Sequence, residues 1–352
     1  MSCSFGEKFK ITIFGQSHSE MIGVVIDGIP AGTKLDIEEI EKLMARRSPV
    51  NKSYATKRNE ADRFQIVSGI VDGITCGSPL CAVICNTDFR SGDYKKLHDC
   101  PRPAHADFTA YMKHNGFNDI RGGGNFSGRM TAPLCFAGAV AMQLLKEKGI
   151  TVGAHIEKIA DVSDKKFDAV NVSSSELDAV KEKSFPVIDD NAKEKMIAVI
   201  SEASKNLDSV GGKVECAVTG LPVGIGEPIF DGLESVISRA VFGIPAIKGI
   251  EFGTTKTYGS KNNDSFIIDG DKVKTATNNH GGILGGISSG MPLIFSTVIK
   301  PTPSISQTQK TVDLSTMTET DLEIVGRHDP CIVPRVVPCI EAATAVAIIN
   351  LI

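Results

Sequence analysis

The chain has 352 residues, 41% of them hydrophobic, with 38 Lys and Arg against 42 Asp and Glu. That length permits one large domain or two ordinary ones, with enough apolar chain for a substantial core. A net charge of −4, no Trp and four Tyr argue against a nucleic-acid surface, so any affinity for anions has to be local. Nine cysteines without C-x-x-C pairs suit a reducing cytoplasm. The N-terminus has no basic region leading into an apolar one, so no signal peptide is read. The most apolar segment, 336–352, is too short to span a bilayer comfortably, and no membrane association is expected.

Residues 10–14 predict a strand that ends in Gly15-Gln16-Ser17-His18-Ser19-Glu20, and 22–26 predict a second. A G-x-P-x-G turn follows at 28–32. Asp36 is then the N-cap of a helix reaching Arg46 and Arg47. Residues 48–63 read as an exposed basic loop, and 64–71 and 80–86 as strands. Residues 87–128 carry Gly, Asp, Arg and His without a regular period, and an irregular segment of that length is expected to be functional. A helix is predicted over 132–148, charged surface structure over 162–192, an amphipathic helix over 191–207 and a strand over 213–219. The turn at 220–224 repeats the G-x-P-x-G form, either a trace of duplication or a common strand ending. A helix over 233–242, a polar loop over 257–280, a Gly-rich stretch over 281–290 and a strand over 293–299 follow. Residues 336–352 read as a buried terminal helix at a subunit contact. Without strict βα alternation or a linker, the pattern predicts one α+β domain over 1–352.

Three consecutive glycines, Gly122 to Gly124, remove every Cβ from a turn that leads into the 132–148 helix. Such a turn lets backbone N–H groups approach an anion. Histidines His18, His105 and His328 each sit beside glycine, arginine or carboxylate, where proton transfer near neutral pH is chemically accessible. A structural histidine is the competing reading for each one. Arg46, Arg47, Lys52, Lys57, Arg58, Arg102, Arg121, Arg129, Arg327 and Arg335 lie mostly in the same loops. If those loops converge they form a polyanion pocket; otherwise they are ordinary solvated charges. The histidines lack metal-ligand spacing, no G-x-S-x-G elbow exposes a serine, and neither Gly-rich stretch has a Rossmann or P-loop spacing.

Taken jointly, G-Q-S-H (15–18), R-P-A-H-A-D (102–107), R-G-G-G-N-F-S-G-R-M-T-A (121–132), N-H-G-G-I-L-G-G-I-S-S-G (279–290), K-P-T-P-S-I (300–305) and G-R-H-D-P-C (326–331) resemble the chorismate synthase family. The likeness runs from about Phe5 to the C-terminal helix, with the motifs in family order. It implies a β-α-β sandwich, a helical layer between two antiparallel sheets, assembled as a homotetramer. The implied reaction is the 1,4-elimination of phosphate from 5-enolpyruvylshikimate 3-phosphate, giving chorismate. It requires reduced FMN without net redox change, with NADPH as the reductant in some members. By the resemblance, His18 protonates the departing phosphate, His105 acts on the flavin's protonation state, and Asp329 works with flavin N5 in removing the C6 proton. Ser17, Arg46, Arg47, Arg102, Arg121, Arg129 and Arg335 are implied for the substrate. Arg47, Asn125, Phe126, Ser127, Ala246, Gly285, Lys300, Pro301, Thr302, Pro303, Ser304 and Arg327 are implied for the flavin. No metal and no nucleic acid enter this reading. The chain departs from the usual family pattern at Ser19 and Ala104, where glycine is usual, at Asn125, at Met130, and at Ser48 and Ser53 in the basic loop. The alternatives are an FMN-binding electron carrier or reductase without lyase activity, and a phosphate-binding structural protein without flavin.

Overall fold

Two five-stranded antiparallel sheets run through the residues described by a computed structural model of the chain, 3–50, 62–86, 97–324 and 329–352. The first contains β1 (Ser4–Phe5), β2 (Lys10–Gly15), β3 (Met21–Asp27), β4 (Phe64–Ser68) and β5 (Leu80–Cys85), in the order β1-β2-β3-β5-β4. The second contains β6 (Thr151–Ile159), β7 (Val162–Ser163), β8 (Gly212–Thr219), β9 (Ile247–Phe252) and β10 (Leu293–Ile299), in the order β7-β6-β8-β10-β9. The main helices are α1 (Ile37–Arg47), α2 (Asp107–Lys113), α3 (Thr131–Glu147), α4 (Ser174–Lys181), α5 (Asp190–Lys205), α6 (Leu233–Val241) and α7 (Val333–Ile349).

Alternation decides which face of the first sheet is covered. Ile22, Val24 and Ile26 of β3, with Leu80, Ala82 and Ile84 of β5, point inward and are buried. Helix α3 packs on that face, and α7 packs on β6 and β8 of the second sheet. The two helices pack on each other, with α1 beside both and α6 beside α7, which gives the helical layer between antiparallel sheets. Helix α7 is apolar all round because it is buried all round. Its one charged side chain beyond the first turn, Glu341, is fully buried and takes a two-pronged bond from Arg46 at 2.6 and 2.9 Å. This corrects the reading of 336–352 as a subunit-contact helix, since the chain's own core covers it.

The two sheets repeat one topology. Strands β2 and β3, helix α1, strands β4 and β5 and helix α3 match β6, β8, α6, β9, β10 and α7 in order, pairing and neighbours. A register shift falls at equivalent places, Ile66/Ser68 against β5 and Ile247/Gly249 against β10. Both G-x-P-x-G turns close the second strand of their unit, with Gly28 at φ +88° and Gly220 at φ +78°. The repeated turn therefore marks a repeated structural unit.

Several elements differ from their sequence expectation. Strand β6 has no alternating pattern because both its faces are covered. Helix α4 lies on its outer side, where Phe167, Val172, Leu177 and Val180 form a second small core with Ala217 and Ile294. The segment 162–192 is thus partly interior rather than surface. The segment expected to be irregular at 87–128 contains α2. The polar loop at 257–280 contains the hairpin Phe266–Asp269 with Lys272–Thr275. In the described part of the 48–63 loop Ser48 and Asp62 are buried, while Arg63 is exposed.

The α3–α7 contact is closest at Gly138, where an added Cβ would overlap the Cβ and Cα of Ala342. We expect Gly138→Ala to lower stability by about 1–3 kcal/mol through forced separation of the helices, although alanine favours helix by ~1 kcal/mol. A shift of the urea midpoint to lower concentration tests this; an unchanged or raised midpoint contradicts it.

Candidate active site

The three glycines separate two histidines. Gly122, Gly123 and Gly124 have φ of +59°, +85° and +52°, a left-handed run that residues with a Cβ adopt only under strain. A Cβ on Gly122 would sit 2.5 Å from Ser17 Oγ and 2.6 Å from His18 Nε2. A Cβ on Gly123 would sit 3.3 Å from His105 Nε2. The turn therefore passes between His18 and His105 with no side chain in the way. Ser17 N donates to the Gly124 carbonyl at 3.3 Å, and Ser127 Oγ donates to Ser17 Oγ at 3.3 Å, which ties the β2–β3 turn to the glycine turn.

Beside this turn is a cavity of about 480 Å³, placed where equivalent ends of the two repeated units meet. The start of α3 contributes Gly128, Arg129 and Thr131, and the start of α7 contributes Ile332, Arg335 and Val336. The ends of α1 and α6 contribute Arg47 with Pro49, and Phe242 to Ala246. Neither α3 nor α7 has a side-chain cap on its own N-cap residue; their first N–H groups bond locally, Thr131 N to the Gly128 and Arg129 carbonyls and Arg335 N to the Ile332 carbonyl, and both helices direct partial positive charge toward this region.

Among the described residues five cationic side chains line the cavity, Arg47, Arg102, Arg129, Arg335 and Lys300, and three carboxylates hold four of them. Asp62 is fully buried between Arg47 and Arg129 and bonds to both. Burial opposes its charge, but the two guanidiniums outweigh burial and keep the carboxyl below its ordinary range. Arg47 also donates to Thr131 Oγ1 and the Gly128 carbonyl, each at 3.1 Å, and Arg129 donates to Asn86 Oδ1 at 3.0 Å. Arg335 pairs with Asp329. Asp107 takes Arg102 at 2.7 and 2.8 Å and His105 Nδ1 at 2.6 Å. With that proton on Nδ1, His105 Nε2 is the acceptor nitrogen beside Gly123. Burial, then Arg102 and Lys300, outweigh Asp107 and push His105 below the ordinary 6.5. Lys300 donates to the Ala104 carbonyl and, among the described residues, pairs with no carboxylate. Burial and Lys248 lower its pKa.

Most of the expected site residues meet here. The cavity wall includes His105, Asp329, Arg47, Arg102, Arg129, Arg335, Asn125, Phe126, Ser127, Ala246, Lys300, Thr302, Pro303 and Ser304. Ser17 and His18 stand directly behind Gly122, which lines the wall. Four expected residues lie elsewhere. Arg46 is turned about 100° around α1 from Arg47, and faces Glu341 in a separate hollow. Arg121 is held outward by Asp119 at 2.8 and 2.9 Å. Pro301 is exposed and is not part of the wall to which Lys300 and Thr302 contribute, and Gly285 sits in the hairpin of residues 283–288. Arg327 and His328 lie outside the described residues.

Sequence reading missed Asp62, Asp107, Asn86 and Cys339. Asp107 stands inside a quoted motif two residues from His105, a spacing that signals an orienting carboxylate. Asp62 had no such signal, because its partners are 15 and 67 residues away.

A polyanion-sized cavity with paired cations, an oriented histidine and a carboxylate defines a small-molecule enzyme site, and the comparisons name its class. The chorismate synthase family profile matches residues 9–352. A chorismate synthase of Dehalococcoides mccartyi is 47% identical over 100% of this chain and 96% of its own length. One from Methanosarcina barkeri is 42% identical over 98% and 94%. A solved chorismate synthase crystal structure aligns with TM-score 0.73 and 24% identity, over 98% of this chain and 92% of its own, which supports the fold. The chain belongs to the chorismate synthase family. It is accordingly a lyase acting in chorismate formation on a small-molecule substrate. No helix among the described residues is long and apolar enough to cross a membrane.

His105 and His155 titrate in opposite senses. Buried His155 is bracketed by Asp164 at 3.0 Å and Glu215 at 2.9 Å, which outweigh burial and raise its pKa above 6.5. Folded His105 binds its proton less tightly than the unfolded chain, so its stabilising contribution is whole above about pH 6.5 and falls as pH drops. The contribution of His155 is whole below that value and falls as pH rises through its raised folded pKa. NMR of histidine-labelled protein should find His105 titrating below 6.5 and His155 above, with Asp107→Asn lowering His105 further. The reverse order would contradict the assigned contacts.

Proposed function

We propose that the chain converts 5-enolpyruvylshikimate 3-phosphate to chorismate and phosphate by 1,4-elimination, with reduced FMN required and no net redox change. The observation that carries this reading is the charge of this cavity, where, among the described residues, five cations stand against three carboxylates beside His105. A substrate with two carboxylates and a phosphate supplies the missing negative charge.

The residues suit a flavin. Ile244, Pro245, Ala246, Pro303 and Phe126 offer flat apolar wall, while Asn125, Ser127 and Ser304 offer polar contacts. Thr302 Oγ1 is buried in that wall with no hydrogen-bond partner among the described residues, as expected of a group awaiting a polar ligand. Lys300, Thr302, Pro303, Ser304, Ala246, Asn125 to Ser127 and Arg47 would hold the ring and its phosphate. When bound, reduced FMN supplies transient electron density to the reacting allylic system.

The chain's own groups then have distinct work. Arg102, Arg129 and Arg335, with Arg47, orient the anions and stabilise charge on the leaving phosphate. His18 gives that phosphate a proton as its C–O bond breaks. Asp329, steered by Arg335, is on the side where the C6 proton is lost and the second ring double bond forms. His105, held by Asp107, controls protonation next to the flavin. An external reductase is the proposed source of reduced FMN, because the sequence has no dinucleotide fingerprint. Nine cysteines, none of them in a disulfide, support a reducing, cytoplasmic setting.

Anaerobic protein with reduced FMN and substrate is expected to release phosphate and form chorismate, without stimulation by NADPH once the flavin is reduced. Flavin binding that is indifferent to the substrate, with no phosphate release, would instead favour an electron carrier. His18→Ala and His105→Ala should each slow turnover by about 10²- to 10⁴-fold; wild-type rates would remove them from the mechanism. A homotetramer is also proposed, supported by the highly exposed apolar side chains Ile229, Phe230, Phe266 and Ile268. Light scattering should find four chains per particle, and a monomer would contradict it.

A further inference from the structure

The proposed reaction uses no thiol, yet two cysteines meet at the cavity. Cys339, in the second turn of α7, lines the wall with Arg47 and Arg335. Cys135 of α3 lies beneath it, fully buried, with its S–H directed at Cys339 Sγ across 3.7 Å. One helical turn further on, Gly138 and Ala342 bring the backbones of α3 and α7 together so closely that no side chain fits between them. The two sulfurs therefore face each other one turn from the tightest part of the crossing, 3.7 Å apart, against ~2.05 Å in a disulfide.

The surroundings separate the two thiols chemically. The Cys135 S–H bond, then the charges of Arg47 and Arg335 with the Thr131 hydroxyl, favour the thiolate of Cys339 and bring it down to about 7, against burial. Burial and the adjacent sulfur push Cys135 well above the ordinary value of 9.0. The more acidic sulfur belongs to Cys339, 2% exposed on the cavity wall, and the protonated Cys135 stands behind it, the arrangement of an attacking and a resolving cysteine. Two core cysteines that merely fill space would need neither the cationic neighbours nor the opening.

We propose that Cys339 and Cys135 form an oxidisable dithiol at the wall of the active-site cavity, in which hydrogen peroxide oxidises Cys339 and Cys135 closes the product to a disulfide. In the first step the Cys339 thiolate attacks the peroxide O–O bond, an S–O bond forms, and hydroxide leaves, giving the sulfenic acid after protonation. In the second, Cys135 sulfur attacks the Cys339 sulfur, the S–O bond breaks, and the departing hydroxide leaves with the Cys135 proton as water. Overall one peroxide is reduced to two waters while two thiols are oxidised. Closing the bond draws the first turns of α7 toward α3, and with them Arg335, whose carbonyl accepts from Cys339 Sγ at 3.3 Å.

Trypsin places the two sulfurs in separate peptides, 130–146 and 336–352, each with one cysteine. The full-length protein treated with dilute hydrogen peroxide, alkylated and digested without reductant should yield these peptides joined, about 2 Da below their summed mass. Dithiothreitol should return them to separate peptides. In Cys135→Ala, with no resolving thiol, peptide 336–352 should instead gain about 32 Da as the sulfinic acid. The exposed Cys3, Cys76 and Cys85 serve as internal dosimeters. If they oxidise while 130–146 and 336–352 remain unlinked and alkylated, the proposal is overturned. The readout is the chain's own mass, so it stands or falls independently of the lyase activity, and the wild-type protein alone decides it if the variant does not fold.

Discussion

The packing of α3 against α7 is the constraint on which the rest of the molecule depends. Each helix lies on its own sheet, and the two sheets communicate through the seam between them. Gly138 opposite Ala342 sets how near the helices come, and hence how near their N-termini lie. Because those N-termini belong to equivalent helices of two repeated units, the cavity forms on the junction of the repeat. Neither unit contains it alone. The location of the site is thus a consequence of how two similar halves pack.

Gathering cations at such a junction is opposed by electrostatics and by desolvation. Arg47 and Arg129 are each less than a tenth exposed, and without Asp62 they would confront one another in a poorly solvated region. The carboxylates relieve that repulsion without cancelling the field, since three of them stand against five cations. A buried pair leaves its remaining donors oriented and rigid. For Arg102 one set of donors is committed to Asp107 and another reaches Ser304 on the opposite wall, so one side chain ties the histidine loop to the 300–304 segment. The arrangement resembles a frame of fixed dipoles more than a set of mobile surface charges, and preorganisation of this kind is what charge-stabilising sites require.

What the sequence revealed follows the same logic. Elements with a local signature were readable: Asp36 does accept from Glu39 N at 3.1 Å at the start of α1, and the apolar runs read at 132–148 and 336–352 form α3 and α7, the latter beginning three residues earlier. Strand β6 was invisible because a strand covered on both faces has no alternation to detect. In the site, residues within motifs came together, and the misreadings have geometric causes. Arg46 and Arg47 are neighbours in sequence yet point to different hollows, because consecutive helix positions diverge. Asp62 was unreadable because its role exists only after 15- and 67-residue separations have been closed.

The departures from the family pattern can be judged by the same geometry. Ser19 replaces a glycine, but its hydroxyl accepts from Gln16 N at 2.9 Å and bonds the carbonyls of Gln16 and Met21 at 2.8 and 2.7 Å, so the side chain closes the turn that carries Ser17 and His18. Ala104 also replaces a glycine and keeps the glycine-like conformation, φ +58°, at a cost of about 1–2 kcal/mol for a residue with a Cβ. That strained peptide is held from outside, because the Ala104 carbonyl accepts from Lys300. Both replacements preserve backbone path by adding a tether where freedom was lost. Asn125 is different, since it faces the cavity with a neutral amide where the family resemblance implies an arginine. Four arginines and Lys300 remain around it, so the substitution lowers the positive charge of the wall without removing its sign.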